Sequence, residues 1–448
     1  MNTLKTYITI AMLALSSIWT TAYAQVEYTE EDDDDVTVEN EDGDDETIEI
    51  PEALMQNLDS LLLLYHSQTY LQPDSTCHMA DVNPYFEPDV IKDRLRRLPT
   101  AIEMPYNDVV QKFIDRYSGK LRRSVSLMLG ASNFYMPIFE QALETYGLPL
   151  ELKYLPVIES ALNPKAVSRV GATGLWQFMI GTGKQYGLKV TTLVDERCDP
   201  DKASYAAARY LRDLYKIFGD WSLVIAAYNC GPENINKAIH RAGGVKDYWK
   251  IYPYLPSETR GYVPAFIAAN YIMNYYCEHN ICPMVTTLPV KTDTVMLSRD
   301  LHLQQAADVL ELDITALRAI NPQYRRDIVN GYNEPAPLRL PASYVNSFID
   351  LEDSIFSYRA DELLTKRQEV EVSTTTASYS RSSSSGRHGK KGRSKRDRRG
   401  RGGKNVTIKS GDTLSDIARR NHTTVAKLKK LNHISGSSIR AGKKIKVK

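Results

Sequence analysis

Residues 150–160 read LELKYLPVIES, and this stretch combines a helical pattern with a candidate functional carboxylate. Leu152, Leu155 and Glu159 stand at positions i, i+3 and i+7, so a helix would carry Glu159 on its apolar face. A carboxyl group buried without a cationic partner favours its protonated form, and its pKa can rise to about 6, as a general acid requires. Spacing alone also allows the ordinary alternative, in which Glu159 ends the helix and reaches solvent or a neighbouring backbone.

The sequence on both sides continues the helical pattern. Between residues 135 and 282, glycine and proline separate helix-length pieces at Gly147-Leu148-Pro149, Asn163-Pro164, Gly187, Gly219, Gly231-Pro232 and Gly243-Gly244. No alternating strand of useful length interrupts them, so we predict an all-helical domain over residues 135–285. Helical spacing at 51–65, 91–98 and 109–117 predicts a helical N-terminal region over residues 51–134.

Three short segments in the helical domain pair aromatic side chains with amides. They are GATGLWQF at 171–178, AAYNCGP at 226–232 and ETRGYV at 258–263. Aromatic faces that stack on sugar rings, beside amides that bind hydroxyl and acetamido groups, are what a carbohydrate groove needs. Each segment taken singly also fits a structural role, because helix-capping glycines and core tyrosines are common.

The C-terminal residues 404–448 have a strand–helix–helix–strand pattern that recurs earlier in the chain. At a constant offset of 111, six residues of the tail align with core-like residues upstream, including Leu428 with Leu317 and Asn432 with Asn321. A shared helical period does not explain the aligned asparagine, so we predict a diverged copy at 292–342. Residues 373–403 are rich in Ser, Gly and Arg and predict a flexible linker between the two copies.

A formal net charge of +1 conceals two oppositely charged ends. Residues 27–49 contain fourteen acidic residues and no Lys or Arg, which predicts a solvated, disordered segment at 25–50. From residue 380 onwards, twenty-two Lys or Arg stand against three acids. Such a basic end is suited to anionic partners.

Residues 1–24 have the pattern of a signal peptide. Lys5 precedes an apolar run from Ile8 to Ile18, and Ala22-Tyr23-Ala24 is the small-x-small pattern that signal peptidase cleaves. The run is shorter than the ~20 residues of a membrane span, and no later stretch is long and apolar enough. We therefore predict export, cleavage before Gln25 and no transmembrane segment. No cysteine follows the cleavage position, so lipid anchoring there has no support.

The five cysteines, at positions 77, 198, 230, 277 and 282, do not define a disulfide framework. Cys277 and Cys282 are near enough in sequence to pair, but free buried thiols are an equal alternative. No paired CxxC is present to bind zinc, and we predict no metal site. We also predict no cofactor.

The series ES at 159–160, GLWQ at 174–177, AYNCG at 227–231 and ETRGYV at 258–263 resembles the family 1 lytic transglycosylases of peptidoglycan. The resemblance covers about residues 100–285 and implies a goose-lysozyme-like helical fold. The tail resembles LysM, a small βααβ domain that binds N-acetylglucosamine-containing glycans, with Gly411, Asp412 and Thr413 as its candidate contacts. The predicted fold class is mainly α: a lysozyme-like all-helical catalytic domain with small LysM domains. The upstream copy has Asp300-Leu301-His302 at those positions, so its fold is better supported than its sugar binding.

The resemblance also implies a mechanism. Glu159 would protonate the glycosidic oxygen between N-acetylmuramic acid and N-acetylglucosamine, then accept the proton of the muramoyl C6 hydroxyl as it attacks C1. The product is a 1,6-anhydromuramoyl end, and no water is consumed. The implied site residues are Tyr228 and Tyr262 near the acid, with Ser160, Trp176, Gln177 and Asn229 as substrate-binding or orienting residues.

The sequence departs from the family pattern in two places. Glu233 stands where the family commonly has glycine, and the absent lipid-anchor cysteine favours a periplasmic protein bound to peptidoglycan or the outer membrane.

Three rival interpretations of the function are also considered. A hydrolytic lysozyme on the same fold would need a second carboxylate, with Asp195, Glu196 and Asp199 as candidates. A non-catalytic wall-binding protein would use only its LysM copies. Nucleic-acid binding by residues 381–404 is disfavoured by export, so the anionic envelope is the expected partner of this stretch.

Overall fold

The computed structural model describes residues 36–39, 45–51, 70–372, 405–407, 417–418, 420–421, 425–432 and 444–447. The predicted signal peptide, the predicted helix beyond Pro51 and the predicted linker at 373–403 lie outside the described residues. The chain divides into two compact units, Met1–Thr376 and Ala377–Lys448, which are described separately.

The acidic N-terminal segment contributes a β-hairpin to the first unit. Strand β1 (Val36–Glu39) pairs antiparallel with β2 (Asp45–Ile48), and Ile48, Ile50 and Pro51 are buried. The disorder predicted for 25–50 is therefore wrong for 36–39 and 45–50. Burial of one isoleucine side chain stabilises the folded state by about 1.5–3 kcal/mol. Burial of Ile48 and Ile50 therefore offsets the tendency of the surrounding acidic residues to stay in water.

Three helices precede the candidate site: α1 (Pro88–Arg97), α2 (Asp108–Ser118) and α3 (Arg122–Thr145). The first two confirm the helices predicted at 91–98 and 109–117. The side chain of Asn107 caps α2 by accepting a hydrogen bond from the backbone N–H of Val110. Helix α3 runs continuously through residues 134 and 135, so the predicted domain boundary there is not a break in the fold. Residues on both sides of it share one hydrophobic core.

The rest of the helical domain consists of short and long helices packed around one central helix. They are a 3₁₀ turn at Leu150–Tyr154, α4 (Leu155–Ser160), α5 (Ile180–Gln185), α6 (Pro200–Phe218), α7 (Trp221–Cys230), α8 (Pro232–Arg241), α9 (Tyr248–Ile251), a 3₁₀ turn at Tyr252–Tyr254, and α10 (Ser257–Tyr275). In α10, every residue from Gly261 to Met273 is buried. A helix that is buried on all sides belongs at the centre of a core, and this arrangement confirms the all-helical prediction.

A disulfide closes the helical domain at its two ends. Strand β3 (Leu71–Gln72) pairs antiparallel with β4 (Val285–Thr286), and this pairing accompanies the bond between Cys77 and Cys282. Cys277 is a free, exposed thiol, so it does not pair with Cys282 as its proximity in sequence allowed. Cys77 and Cys282 are separated by 205 residues of chain, so sequence spacing could not reveal this pairing.

The predicted copy at 292–342 forms a small domain of its own. Its elements are β5 (Thr292–Leu297), β6 (Asp300–His302), α11 (Leu303–Val309), α12 (Ile314–Ile320), β7 (Ile328–Asn330) and β8 (Ala336–Pro341). Strand β5 pairs antiparallel with β8, and β6 with β7. A 3₁₀ turn (Ala342–Tyr344) and helices α13 (Val345–Asp350), α14 (Glu352–Ser357) and α15 (Ala360–Leu363) follow.

This small domain is fastened to the helical domain by backbone hydrogen bonds. The N–H of Arg325 donates to the carbonyl of Leu193 at 2.8 Å, and the N–H of Asp195 donates to the carbonyl of Gln323 at 2.9 Å. Beyond α15, the carbonyl of Val370 accepts from the N–H of Thr192 at 2.9 Å. The repeat is thus a docked part of the first unit.

Within the described residues, the second unit has both strands and the second of the two helices predicted for the tail. Strand β9 (Asn405–Thr407) pairs antiparallel with β10 (Lys444–Lys446), with α16 (Val425–Asn432) between them. Its small core contains Ile417, Ala418, Leu428, Ile445 and Val447. Gly411, Asp412 and Thr413 lie outside the described residues.

The asparagine shared by the two copies has the same role in each. The amide of Asn432 donates to the carbonyls of Leu428 and Lys446, and its oxygen accepts from the N–H of Lys446. Asn321 makes the equivalent bonds to Leu317 and Arg339. Each asparagine therefore links the end of the second helix to the closing strand, which is why the repeat preserves it.

In the parts of the chain that the structure describes, no helix is both long and apolar enough to cross a membrane.

Candidate active site

Glu159 is the penultimate residue of α4, and local packing fixes its position. Leu155, Val157 and Ile158 are buried, which anchors the short helix in the core. Ala161 and Leu162 follow with φ angles of 49° and 59°. Two successive left-handed residues that are not glycine cost roughly 1–2 kcal/mol each, a strain often found at functional sites. The chain thus turns away sharply and leaves the Glu159 carboxyl group facing a cleft.

The surroundings of Glu159 favour its protonated form. Burial raises the pKa of Glu159 to about 7; the hydrogen bond from Tyr262 opposes this rise, and the negative charge of Glu258 adds to it. The Tyr262 hydroxyl donates to Oε1 of Glu159. The partner of this carboxyl group is therefore a neutral phenol on the central helix α10.

Tyr228, near the end of α7, is oriented by the loop at 171–178. Its hydroxyl donates to the backbone carbonyl of Trp176 at 2.8 Å, and its ring lies 5.3 Å from that of Tyr210. The Trp176 side chain points the other way and is completely buried. Its indole N–H donates to the Ser204 hydroxyl at 2.9 Å, and its ring meets Phe139 edge-on.

The substrate contact predicted for the Trp176 side chain is therefore wrong in this structure. An indole buries a large apolar area and needs one acceptor for its N–H, and the interior supplies both. The backbone of Trp176, through the carbonyl bonded to Tyr228, is what reaches the site.

Ser160 is also buried. The prediction that it contacts substrate in the cleft is therefore wrong. Its hydroxyl lies 3.0 Å from the carbonyl of Pro156 and 2.9 Å from that of Leu175. It joins the end of α4 to the loop at 171–178 and thereby orients both. This matches the orienting role in the sequence-based interpretation and excludes direct substrate contact.

Gln177 and Asn229 both reach the cleft, and each is held by a neighbour. Gln177 has a φ of 46°, and its amide donates to the carbonyl of Gly174 at 2.8 Å. The oxygen of Asn229 accepts from the Thr259 hydroxyl at 2.8 Å. Amides fixed in this way are suited to recognising a ligand with few rotamers left to order.

The cleft above Glu159 has a volume of about 340 Å³ and brings together most of the predicted residues. Glu159, Gln177, Tyr228, Asn229 and Tyr262 line it. Sequence inspection did not single out several other lining residues, among them Pro51, Met179, Tyr210 and Glu258. Glu258 lies within the ETRGYV motif and Met179 just after GLWQF, so both carried a signal, whereas Pro51 had none.

The carboxylates suggested for a hydrolytic enzyme have structural roles elsewhere. Asp195 is buried and bonded to Arg197 and Arg325, and Asp199 caps α6. Glu196 and Asp199 line a separate cavity of about 580 Å³ between the helical domain and the repeat, which contains none of the predicted substrate residues. None of the three lines the cleft at Glu159.

Among the described residues, no group of three or more His, Cys, Asp or Glu side chains is arranged to hold a metal ion.

Comparison with known protein families gives three matches along the chain. Residues 136–251 match the Transglycosylase SLT domain. Residues 291–357 match the family described as "Lytic transglycosylase MltD, LysM-like domain", and residues 406–448 match the LysM domain. The chain is a lytic transglycosylase. The LysM-like match extends beyond the predicted residue 342 and takes in α13 and α14.

Several curated proteins are similar to this lytic transglycosylase. The membrane-bound lytic murein transglycosylase D of Escherichia coli K12 is 28% identical over 348 residues, which is 77% of this chain and 70% of that protein. The soluble lytic murein transglycosylase of the same strain is 34% identical over 124 residues, 26% of this chain and 19% of that protein.

Among solved structures, the 70 kDa soluble lytic transglycosylase SLT70 of Escherichia coli is 29% identical, with a TM-score of 0.28. The match covers 33% of this chain and only 25% of that one.

Proposed function

We propose that this enzyme cleaves the β-1,4 bond between N-acetylmuramic acid and N-acetylglucosamine in peptidoglycan and leaves 1,6-anhydromuramoyl ends. The observation that supports this most strongly is the carboxyl group of Glu159 in the cleft, whose pKa burial raises to about 7 and whose hydrogen-bond partner is a phenol. Such a group can both give and take a proton near neutral pH, which one acid–base catalyst must do in both halves of the reaction.

In the first half, protonated Glu159 donates its proton to the glycosidic oxygen. The bond between that oxygen and C1 of the muramoyl residue breaks, and the leaving sugar departs with the proton. Positive charge develops on the muramoyl ring in an oxocarbenium-like state. The carboxylate that remains lies in the cleft and attracts this charge.

In the second half, the muramoyl C6 hydroxyl attacks C1 and gives its proton to Glu159. The new bond closes the 1,6-anhydro ring, and Glu159 returns to its protonated form. No water enters the balance, so a second carboxylate that activates water is not required.

The neighbours of Glu159 have distinct proposed roles. Tyr262 orients the carboxyl group through its hydrogen bond, and Tyr228 lies beside it in the cleft. Gln177 and Asn229 contact the sugar substituents, while buried Ser160 and Trp176 hold the loop and helix that carry the site. The Thr259 hydroxyl fixes the orientation of the Asn229 amide.

Mass spectrometry of digested sacculi separates this reaction from hydrolysis. The proposal expects anhydromuramoyl ends, whose mass is lower by one water than that of a reducing muramic acid end. Reducing ends as the main product would instead show a lysozyme-type hydrolase and overturn the proposal.

The C-terminal LysM domain is proposed to bind the glycan strand through Gly411, Asp412 and Thr413. The corresponding residues of the upstream repeat are engaged otherwise: Leu301 is fully buried, and the side chain of His302 caps α11. We propose that the upstream repeat is a docked structural domain. Sacculus pull-down of the chain with and without residues 404–448 tests this, and undiminished binding without the tail would contradict it.

The proposed location is the periplasm, in contact with peptidoglycan. The Cys77–Cys282 disulfide supports an oxidising compartment. The basic stretch at 381–404 is proposed to add electrostatic attraction to the anionic envelope. Sacculus binding that is equally strong and equally salt-dependent in a variant lacking 380–404 would reduce this stretch to a spacer.

A further inference from the structure

The N-terminal strap, defined here as residues 45–51, reaches the active-site cleft. Pro51 lines the same cleft as Glu159 and Tyr262, although it lies more than a hundred residues before them in the chain. Residues 27–49, which precede Pro51, are strongly acidic. Their composition gives no sign that the chain after them lines a substrate site.

Two apolar anchors hold the strap in place. Ile48 is 0% exposed and Ile50 is 1% exposed, while Glu49 between them faces solvent. This alternation follows the strand period, with both isoleucines directed into the core. The strap is thus an integral part of the cleft wall.

Helix α10 keeps a space for the strap at Gly261. A Cβ atom at this position would lie 2.6 Å from the carbonyl oxygen of Glu49 and 3.0 Å from Cγ2 of Ile48. Glycine inside a helix costs about 1 kcal/mol relative to alanine, so its presence needs a reason. The close approach of the strap supplies one, directly before Tyr262, whose hydroxyl donates to Glu159.

The size of the cleft bears on which bonds of the substrate the enzyme cuts. A volume of about 340 Å³ is at the lower end of the range for ligand pockets, and the proposed substrate is a polymer. We propose that the N-terminal strap closes one side of the cleft and makes the enzyme cut near the ends of glycan strands in preference to internal bonds. This inference rests on the proposed function, because it concerns the selection of bonds by the same site.

Two variants remove the wall in different ways. Ile48→Asp/Ile50→Asp places charges at the two anchors and detaches the strap, while Pro51→Gly leaves the anchors and removes the side chain that lines the cleft. Each is digested with long, peptide-free glycan strands, and early product lengths are measured by chromatography. We expect the ratio of internal to terminal cuts to rise about tenfold when the strap is detached, which corresponds to about 1.4 kcal/mol of lost discrimination. Pro51→Gly should move the ratio in the same direction.

Glu49→Gln is the matched control, since this side chain is exposed between the anchors. It should leave the ratio unchanged. Thermal unfolding identifies a double variant that has lost its fold, and Pro51→Gly then decides alone. An unchanged ratio in a folded variant that lacks the wall overturns the strap inference. Total anhydro ends are counted in the same digests, and their absence with the unaltered enzyme would instead refute the proposed function.

Discussion

Glu159 is made into an acid by its surroundings. Burial raises the pKa of its carboxyl group, and the Tyr262 hydroxyl, the partner seen in the structure, opposes that rise. The result is a pKa of about 7, so the group is protonated below neutral pH and charged above it. A general acid with this pKa should give a rate that falls as the pH rises through about 7.

Tyr262→Phe tests whether the Tyr262 hydrogen bond opposes the effect of burial on the pKa of Glu159. The hydrogen bond from Tyr262 lowers the pKa of Glu159, so its loss raises the pKa, and the carboxyl group stays protonated to higher pH. We expect the alkaline limb of the pH–rate profile to move upward. The maximal rate should fall about tenfold or more, because the carboxyl group loses the contact that orients it.

The matched control is Tyr210→Phe, which also changes a cleft tyrosine. Its alkaline limb should stay where it is in the unaltered enzyme. A downward shift in Tyr262→Phe, or an equal shift in both variants, contradicts the assigned role of Tyr262.

At the residue scale, sequence could identify the chemistry but not the direction of every side chain. The helical spacing around Glu159 predicted a carboxylate on an apolar face, and Glu159 is indeed anchored by buried Leu155 and Ile158. The GLWQ motif presents an indole and an amide together, yet only the amide of Gln177 faces the cleft. Which of two neighbours turns inward depends on a distant acceptor, here Ser204, that local sequence does not reveal.

At the element scale, the loop at 171–178 connects the parts of the site. The Arg197 guanidinium donates to the carbonyls of Gly171 and Phe178, which fixes both ends of the loop. Gly174 has a φ of 88°, and a Cβ there would meet the Arg197 carbonyl oxygen at 1.8 Å. The loop therefore requires glycine at position 174 for conformation and for space.

Gly174→Ala should destabilise the enzyme by about 3 kcal/mol or more, because strain from positive φ adds to a backbone collision. Gly171→Ala is the matched control: its φ is 87°, but nothing lies within 4 Å of the added Cβ, so a cost of about 1–2 kcal/mol is expected. Urea unfolding followed by tryptophan fluorescence measures both. Equal losses would contradict the close approach at Gly174.

At the scale of the whole molecule, distant contacts turn the helical domain and its flanking segments into one unit. The disulfide between Cys77 and Cys282 and the short β3–β4 pairing join segments at either end of the helical domain. Backbone hydrogen bonds fasten the repeat to the helical domain: the carbonyl of Gln323 accepts from Asp195, and the N–H of Arg325 donates to Leu193.

Cys77→Ser should lower the free energy of unfolding by about 2–4 kcal/mol, since a closure across a long loop is lost from the unfolded chain. Cys277→Ser changes an exposed free thiol and should have little effect. Thermal unfolding of the two variants in parallel gives the comparison. An equal loss of unfolding free energy in Cys277→Ser would contradict the pairing of Cys77 with Cys282.

The sequence could predict elements better than their assembly. Periodicity gave the helices at α1 and α2, and the aligned Asn321 and Asn432 predicted a repeat whose two copies share one set of hydrogen bonds. The burial of Ile48 and Ile50 was not predictable, because the acids around them dominate local composition and their binding surface on α10 is formed by residues far along the chain.

The most direct measurement for the central claim is the yield of anhydromuramoyl ends from purified peptidoglycan with Glu159→Gln. Glutamine can still accept the Tyr262 hydrogen bond but cannot give or take a proton. Loss of general acid–base catalysis should lower the initial rate by roughly 10²–10⁴-fold. Glu233→Gln, an equivalent change at an exposed residue of α8, should leave the rate unchanged. A Glu159→Gln enzyme that forms anhydro ends at the unaltered rate would contradict the account.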